Sequence, residues 1–178
     1  MVYSVVVLDM VLFDRDGTLI EDVPYNGDPA RVRPMPDAGS VLDRLRSRGV
    51  RVGVVSNQSG IGRGLVTAAE VAAVNLRLVE LLGPFDVLRI CPHTADDRCR
   101  CRKPQPGMIV DALSELDIAP ARAAVVGDIG ADVDAATAAG VRSILVPTAR
   151  TRTAEIHAAP AVAATLTAAV DALFRTVR

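Results

Sequence analysis

The 178-residue chain predicts an α/β protein built on a central parallel sheet. Three observations carry that expectation. Short, nearly continuous apolar runs alternate with stretches of helical periodicity, as in strand–helix–strand units. The runs are apolar at successive positions, as in strands buried on both faces. The segments after the first four runs are polar and rich in Asp, Ser and Gly. In a parallel sheet such segments meet beyond the carboxyl ends of the strands, where ligands bind.

The predicted strands are Val5–Phe13, Val50–Ser56, Val87–Cys91, Ala123–Gly127 and Ser143–Val146. The predicted helices are Asp37–Arg48, Ala68–Leu82, Gly107–Leu116, Asp132–Ala139 and Ala161–Arg175. Thr67 followed by Glu70 reads as a capping box before the second helix. Pro106 suits the first position of the third. Gly49, Gly83 and Gly140 stand where helices must stop. With no linker, repeat or low-complexity tract, residues 1–178 read as one domain.

Composition narrows the function. Half the residues are apolar and the formal net charge is −1, so nothing electrostatic favours a nucleic acid or an anionic membrane. Aromatics make up 3% and there is no Trp, which argues against base stacking. No apolar run approaches the length of a membrane span. No basic stretch precedes the first run and Asp9 interrupts it, so a signal peptide is not expected. Three cysteines form no disulfide framework and point to a reducing, cytoplasmic setting. No heptad or large amphipathic patch stands out, so a monomer is expected.

Four segments carry chemistry. In VLFDRDGTL, Asp14 and Asp16 follow a buried strand, and Gly17 and Thr18 suit a tight turn out of it. Two close carboxylates repel unless a cation or a shared proton intervenes, and Mg²⁺ prefers oxygen ligands. A carboxylate can also attack phosphorus while its neighbour acts as general acid. Asp9 also ends an apolar run, but no turn chemistry follows it. In SNQSGIGRG, the Ser56 hydroxyl and the backbone N–H groups of a Gly-rich turn can hold phosphoryl oxygens, and Arg63 adds a second anion contact. In CRKP, Lys103 is the single lysine of a chain that otherwise uses arginine. Its compact charge suits a phosphoryl group and an adjacent carboxylate. In VVGDIGADVDAA, Asp128 is a candidate Mg²⁺ ligand. Asp132 either orients neighbouring groups from behind the site or caps the helix expected to begin there. Asp134 reads as helix surface.

Cys91, His93, Cys99 and Cys101 form C-x-H-x5-C-x-C. Three thiolates and an imidazole make a closed tetrahedral set, the pattern of structural Zn²⁺. A Cys99–Cys101 disulfide is strained between near neighbours. A catalytic zinc would need an open position. His157, far down the chain, reads as surface.

Taken in order, the four segments resemble those of the haloacid dehalogenase (HAD) superfamily of phosphotransferases, over about Val11 to Val146. The resemblance implies a Rossmann-like three-layer fold and a two-step phosphatase mechanism. On that pattern Asp14 is the nucleophile, and Asp16 the general acid and then base. Ser56 and Lys103 bind the phosphoryl group. Asp14, Asp128 and the backbone carbonyl of Asp16 bind Mg²⁺. DRDGTL with Asp22 and Tyr25, then SNQSGIGRG, then C-x-H…C-x-C-R-K-P-x-P-G-M, resembles the D-glycero-D-manno-heptose 1,7-bisphosphate 7-phosphatase group and its histidinol-phosphatase relatives. That narrower likeness implies substrate contacts from Asp22–Tyr25, from Asn57, Gln58 and Ser59 beside Ser56, and from Arg102 and Lys103. Ser59 fits the heptose group, the histidinol group being expected to carry an acid there. Ile129 departs from the heptose pattern, which often has a lysine beside the fourth-motif aspartate. The loop between His93 and Cys99 is shorter than usual for that group.

No segment of about 50 residues is free to form a cap domain. The expectation is therefore a capless cytoplasmic phosphatase acting on a small phosphorylated sugar, with Mg²⁺ in the site and Zn²⁺ stiffening the loop that delivers Arg102 and Lys103. Rival readings are a phosphatase for histidinol phosphate or a nucleic-acid end, and a non-catalytic zinc-stapled binding module. The near-neutral charge opposes the nucleic-acid version. A binding module has no use for a matched nucleophile and acid.

Overall fold

The structure, a computed structural model, describes residues 8–175. Five parallel strands form one sheet: β1 (Met10–Phe13), β2 (Arg51–Asn57), β3 (Val87–Cys91), β4 (Ala123–Gly127) and β5 (Arg142–Leu145). Their spatial order is β3-β2-β1-β4-β5. The chain runs outward from β1 to β3, then returns to place β4 on the other side of β1. The reversal opens a crevice at the carboxyl ends of β1 and β4, the usual ligand position in an open α/β sheet.

The apolar runs become buried strands because both faces are covered. Val11 and Phe13 of β1 join one core cluster, while Met10 and Leu12 join the other. This is the period-two alternation of a strand between two layers. On the first face lie α1 (Ala38–Ser47), α3 (Ala68–Leu82) and α7 (Leu166–Leu173), through Leu42, Leu78 and Val170 among others. On the second lie α4 (Gly107–Glu115) and α5 (Gly130–Ala138), through Ile109 and Ala136. The one-turn α2 (Ser59–Gly62) sits at the end of β2, and α6 (Thr153–Ala158) follows β5. Among the described residues no helix is long and apolar enough to cross a membrane.

The predicted architecture is the observed one, with shifted edges. Both halves of the Thr67–Glu70 capping box form, with Thr67 Oγ1 accepting from the Glu70 N–H and Glu70 accepting from the Thr67 N–H. Pro106 precedes α4 rather than opening it. The strand predicted from Val5 begins at Met10 in the described part, and residues 5–7 lie outside the described residues. The helix predicted over Ala161–Arg175 is a correction: it spans only Leu166–Leu173, because Thr165 caps it by accepting from the Ala168 N–H. Before it, Ala161 and Ala163 bond to the Leu145 backbone alongside β5. The short α6 was not predicted; Glu155 starts it by accepting from the Arg152 N–H. Asp9 pairs with Arg122 on the side away from the crevice.

Candidate active site

The segments after β1, β2 and β4 and the CRKP segment converge on one cavity of about 460 Å³. Asp14 continues directly from β1, its N–H donating to Val126 O of β4, and Asp128 follows β4. Oxygens of Asp14, Asp128 and Asp132 lie within 4.8 Å of one another. Lys103 Nζ donates to Asp14 Oδ1 and to Asp132 Oδ1, both at 2.6 Å, and to Val55 O at 2.8 Å. All three donors of the ammonium are thus used, in a setting where it is 3% exposed.

Asp132 caps α5 from within its first turn and also reaches Lys103. It is the third residue of α5, and its Oδ2 accepts from the N–H groups of Asp128 and Ile129, both at 3.2 Å. With Oδ1 on Lys103, both oxygens are committed to protein donors. Asp14 Oδ2 and Asp128 Oδ1 have no protein donor among the described residues, so this pair carries the free acceptors a hard cation takes. Two glycines make the approach possible. A Cβ on Gly17 would sit 2.4 Å from Asp128 Oδ2, and its φ is +82°. A Cβ on Gly127 would sit 2.3 Å from Asp132 Cγ.

Burial pushes Asp14 up to about 8, with Lys103 opposing the rise. Burial, then the Asp132 charge, pushes Asp128 up to about 7. Burial works against the Lys103 charge, but Asp132 and Asp14 outweigh it and hold its pKa above the ordinary lysine value. The site therefore holds a fixed ammonium and two carboxyls that resist ionisation together. A bound divalent cation inverts that balance.

Asp16 lines the same cavity, yet its carboxylate faces other partners. Arg15 Nε and Nη2 grip it at 3.0–3.2 Å, and Gln58 Nε2 donates to its Oδ2 at 2.6 Å. Gln58 also donates to Ser56 Oγ at 2.9 Å, which ties the first two motifs together. Arg15, only 1% exposed, anchors its far end on Asn75 Oδ1 of α3 at 2.7 Å. Sequence reading passed over Arg15 and Asn75. Arg15 stood between the two motif aspartates, but nothing local indicated that its guanidinium is buried.

Of the predicted substrate contacts, Asp22, Tyr25, Asn57, Gln58 and Ser59 line the cavity together with Lys103. Tyr25 has φ +50°, a backbone conformation costly for a non-glycine residue and most often kept at functional sites. Asn57 has a second duty: its amide exchanges two hydrogen bonds with the Lys103 backbone, both at 3.0 Å. Neither Arg63 nor Arg102 lines the cavity. Arg63 is exposed at the end of α2, where the one-turn helix ends. Arg102 turns back to donate to His93 O and borders a separate cleft beside Cys99. Sequence reading also missed the segment after β5. Thr148 Oγ1 donates to Asp128 Oδ2 at 3.3 Å, Thr151 Oγ1 donates to Asp128 O at 2.6 Å, and Arg150 lines the cavity. The strand-end rule, applied to the fifth strand as to the first four, points to this segment.

Cys91 Sγ, His93 Nδ1, Cys99 Sγ and Cys101 Sγ form one cluster with neighbouring donors 3.1–3.6 Å apart. A zinc tetrahedron with sulfur at about 2.3 Å has edges of about 3.7 Å, so the spacing is nearly that of a closed site. Burial and the Cys101 thiol push Cys91 up to about 12, a state a bound metal would reverse. The cluster is compatible with zinc. Asp134 and His157 are exposed, as expected.

A parallel sheet with paired aspartates after its first strand, a buried lysine and an aspartate after β4 defines the HAD class of hydrolases. Comparisons place the chain more closely. A HAD-hydrolase-like family profile matches residues 100–172. The chain is 36% identical over 122 residues to the probable D-glycero-D-manno-heptose-1,7-bisphosphate 7-phosphatase of Thermoplasma volcanium, covering 66% of this chain and 84% of that one. It is 34% identical over 139 residues to the D-glycero-beta-D-manno-heptose-1,7-bisphosphate 7-phosphatase of Rhodopseudomonas palustris, covering 72% and 77%. The crystal structure of D,D-heptose 1,7-bisphosphate phosphatase from B. bronchiseptica, complexed with magnesium and phosphate, superposes with a TM-score of 0.83 at 31% identity, over 93% of this chain and 98% of that one. The chain belongs to the HAD superfamily, in the group of the heptose-bisphosphate 7-phosphatases.

Proposed function

We propose that this protein is a Mg²⁺-dependent phosphatase that works through an aspartyl phosphate on Asp14 and removes the C7 phosphate of D-glycero-D-manno-heptose 1,7-bisphosphate. The observation that carries the reading is the Asp14 carboxylate at the β1/β4 switch point. It is held 2.6 Å from a buried lysine beside a second free carboxylate, in a chain whose relatives bear that enzymatic name.

The steps follow from the residues. Asp14 Oδ2, free of protein donors, attacks phosphorus; the bond between phosphorus and the C7 oxygen breaks, and Asp16 gives the leaving oxygen a proton. Water then attacks the aspartyl phosphate, Asp16 takes its proton, and phosphate leaves Asp14. Lys103 and the Ser56 hydroxyl meet the phosphoryl oxygens, and Asp132 keeps Lys103 aimed. Asp14, Asp128 and the Asp16 carbonyl would hold Mg²⁺, which would supply charge neutralisation at the phosphoryl group. Asp22, Tyr25, Gln58 and Ser59 face the sugar. Cys91, His93, Cys99 and Cys101 would hold Zn²⁺, which would fasten the loop ahead of Lys103 without taking part in the chemistry.

The test is steady-state turnover with Mg²⁺ on heptose 1,7-bisphosphate, other phosphorylated sugars and histidinol phosphate. The reading requires preference for the heptose bisphosphate and loss of turnover in Asp14→Asn. Preference for histidinol phosphate moves the assignment to that group.

A further inference from the structure

We propose that Arg150 forms an anion subsite at the rim of the cavity that receives the second phosphate of a bisphosphate substrate, the one not transferred. The inference rests on the sugar-bisphosphate reading above and extends it.

Three basic side chains line the cavity: Arg15, Lys103 and Arg150. Two belong to the buried end. Lys103 is held there by Asp14, Asp132 and Val55 O, where the transferred phosphoryl group goes. Arg15 divides its guanidinium between Asp16 and Asn75. Arg150 differs. Its Nε lies 2.9 Å from Asp22 Oδ2, and its two Nη groups make no hydrogen bond among the described residues. They form the side of the guanidinium fork that matches two phosphate oxygens.

Depth separates the two ends of the cavity. Side-chain exposure is 2% for Lys103 and 11% for Asp14, against 56% for Arg150 and 29% for Asp22. The transferred phosphoryl group goes to the buried end, so a second phosphate on the same sugar remains nearer solvent, where Arg150 stands. Ile129 also lines the wall and contributes no charge there.

The loop holding Arg150 is fixed to the catalytic floor. The Arg150 N–H donates to Thr148 Oγ1 at 3.2 Å, and Thr148 Oγ1 donates to Asp128 Oδ2 at 3.3 Å. Thr151 bonds the Asp128 carbonyl, and the Thr148 N–H returns to Thr151 Oγ1 at 2.8 Å. The β5 loop is therefore tied through two threonines to the aspartate that follows β4. Asp22 anchors Nε from the opposite loop and leaves the Nη edge open. A placed guanidinium loses less freedom when it binds, and it favours a dianion over a hydroxyl at that point.

The test compares kcat/KM for heptose 1,7-bisphosphate and heptose 7-phosphate in the wild type, Arg150→Ala and Arg150→Lys. The expected result is a bisphosphate-to-monophosphate ratio at least tenfold lower in Arg150→Ala, carried by KM for the bisphosphate. Arg150→Lys should recover part of it. Equal losses on both substrates, or an unchanged ratio in a wild type that prefers the bisphosphate, overturn the subsite alone. A wild type with no preference overturns the bisphosphate reading and the subsite with it. Arg150 is exposed, so the variants fold as the wild type does, and matched melting curves check this.

Discussion

Asp132 holds Lys103 in place: its Oδ1 lies 2.6 Å from the lysine Nζ, and both side chains are almost wholly buried. The same carboxylate grips the N–H groups of Asp128 and Ile129. It joins the lysine to the start of α5 and makes no contact that substrate chemistry requires. Asp132→Asn should lower kcat about 100-fold, the scale seen when a preorganised charge loses its aim. It should also cost about 3 kcal/mol of stability, because a buried ammonium loses one of its two carboxylates. Steady-state kinetics and denaturant melts on one preparation check both. An unchanged kcat removes Asp132 from the positioning role.

Asp14→Asn separates catalysis from folding. Turnover should fall by at least about 10⁴-fold, since the amide cannot form the acyl-phosphate. Stability without Mg²⁺ should fall less than in Asp132→Asn, because burial disfavours the Asp14 charge that the substitution removes and Asp132 remains on Lys103. Thermal melts with and without Mg²⁺ show this directly, and the variant should also lose most of its Mg²⁺-dependent rise in Tm.

The two metal-facing carboxyls set a pH dependence. Their pKa values, about 8 for Asp14 and about 7 for Asp128, lie above the usual aspartate value. The folded protein therefore holds more protons than the unfolded chain between about pH 4 and 8, and this contribution to stability is lost as pH rises through that window. On the proposed function Mg²⁺ takes the ionised pair, so protons would compete with it on the acid side. The rise in Tm on adding a fixed Mg²⁺ concentration should be larger at pH 8 than at pH 6. An equal rise at both values places the metal on other groups.

Gly17 is sensitive for two reasons at once. Its φ is +82°, and a Cβ would sit 2.4 Å from Asp128 Oδ2. Gly17→Ala should strain the turn by about 1 kcal/mol or more and push Asp128 out of position. The Mg²⁺ concentration for half-maximal activity should rise about tenfold. A Mg²⁺ titration of initial rates measures it.

The sheet was legible because its central strands are buried on both faces, so Val52–Val55 and Ala123–Gly127 read as apolar runs. That Asp14, Asp16, Asp128 and Lys103 meet at one cavity was legible because each follows a strand or stands alone in composition. Arg15 was not, since the same D-R-D-G letters fit a solvated arginine; its burial depends on Asn75, 60 residues away. Arg63 and Arg102 were placed at the substrate because each adjoins a motif. Adjacency along the chain does not set side-chain direction, and the Arg102 bond to His93 O turns it away. Asp132 read as an orienting group or as a cap, because α5 was expected to begin there. The helix starts two residues earlier, which turns the same carboxylate back over the β4 end.

The cysteine cluster supports Lys103 through the chain itself. Cys101 lies two residues before the lysine, the Gly107 N–H that opens α4 bonds Arg100 O, and the Asn57 amide clamps the Lys103 backbone from the β2 side. Removing one thiolate releases one end of this short span while the other stays held. Cys99→Ser should therefore lower zinc content and slow turnover together, leaving the sheet intact, because Cys99 is only packed against the core rather than part of its centre. Zinc by metal analysis, far-UV circular dichroism and initial rates on the same sample give the answer. A zinc-free Cys99→Ser protein with full activity would show that Asn57 and Asp132 hold Lys103 without the loop.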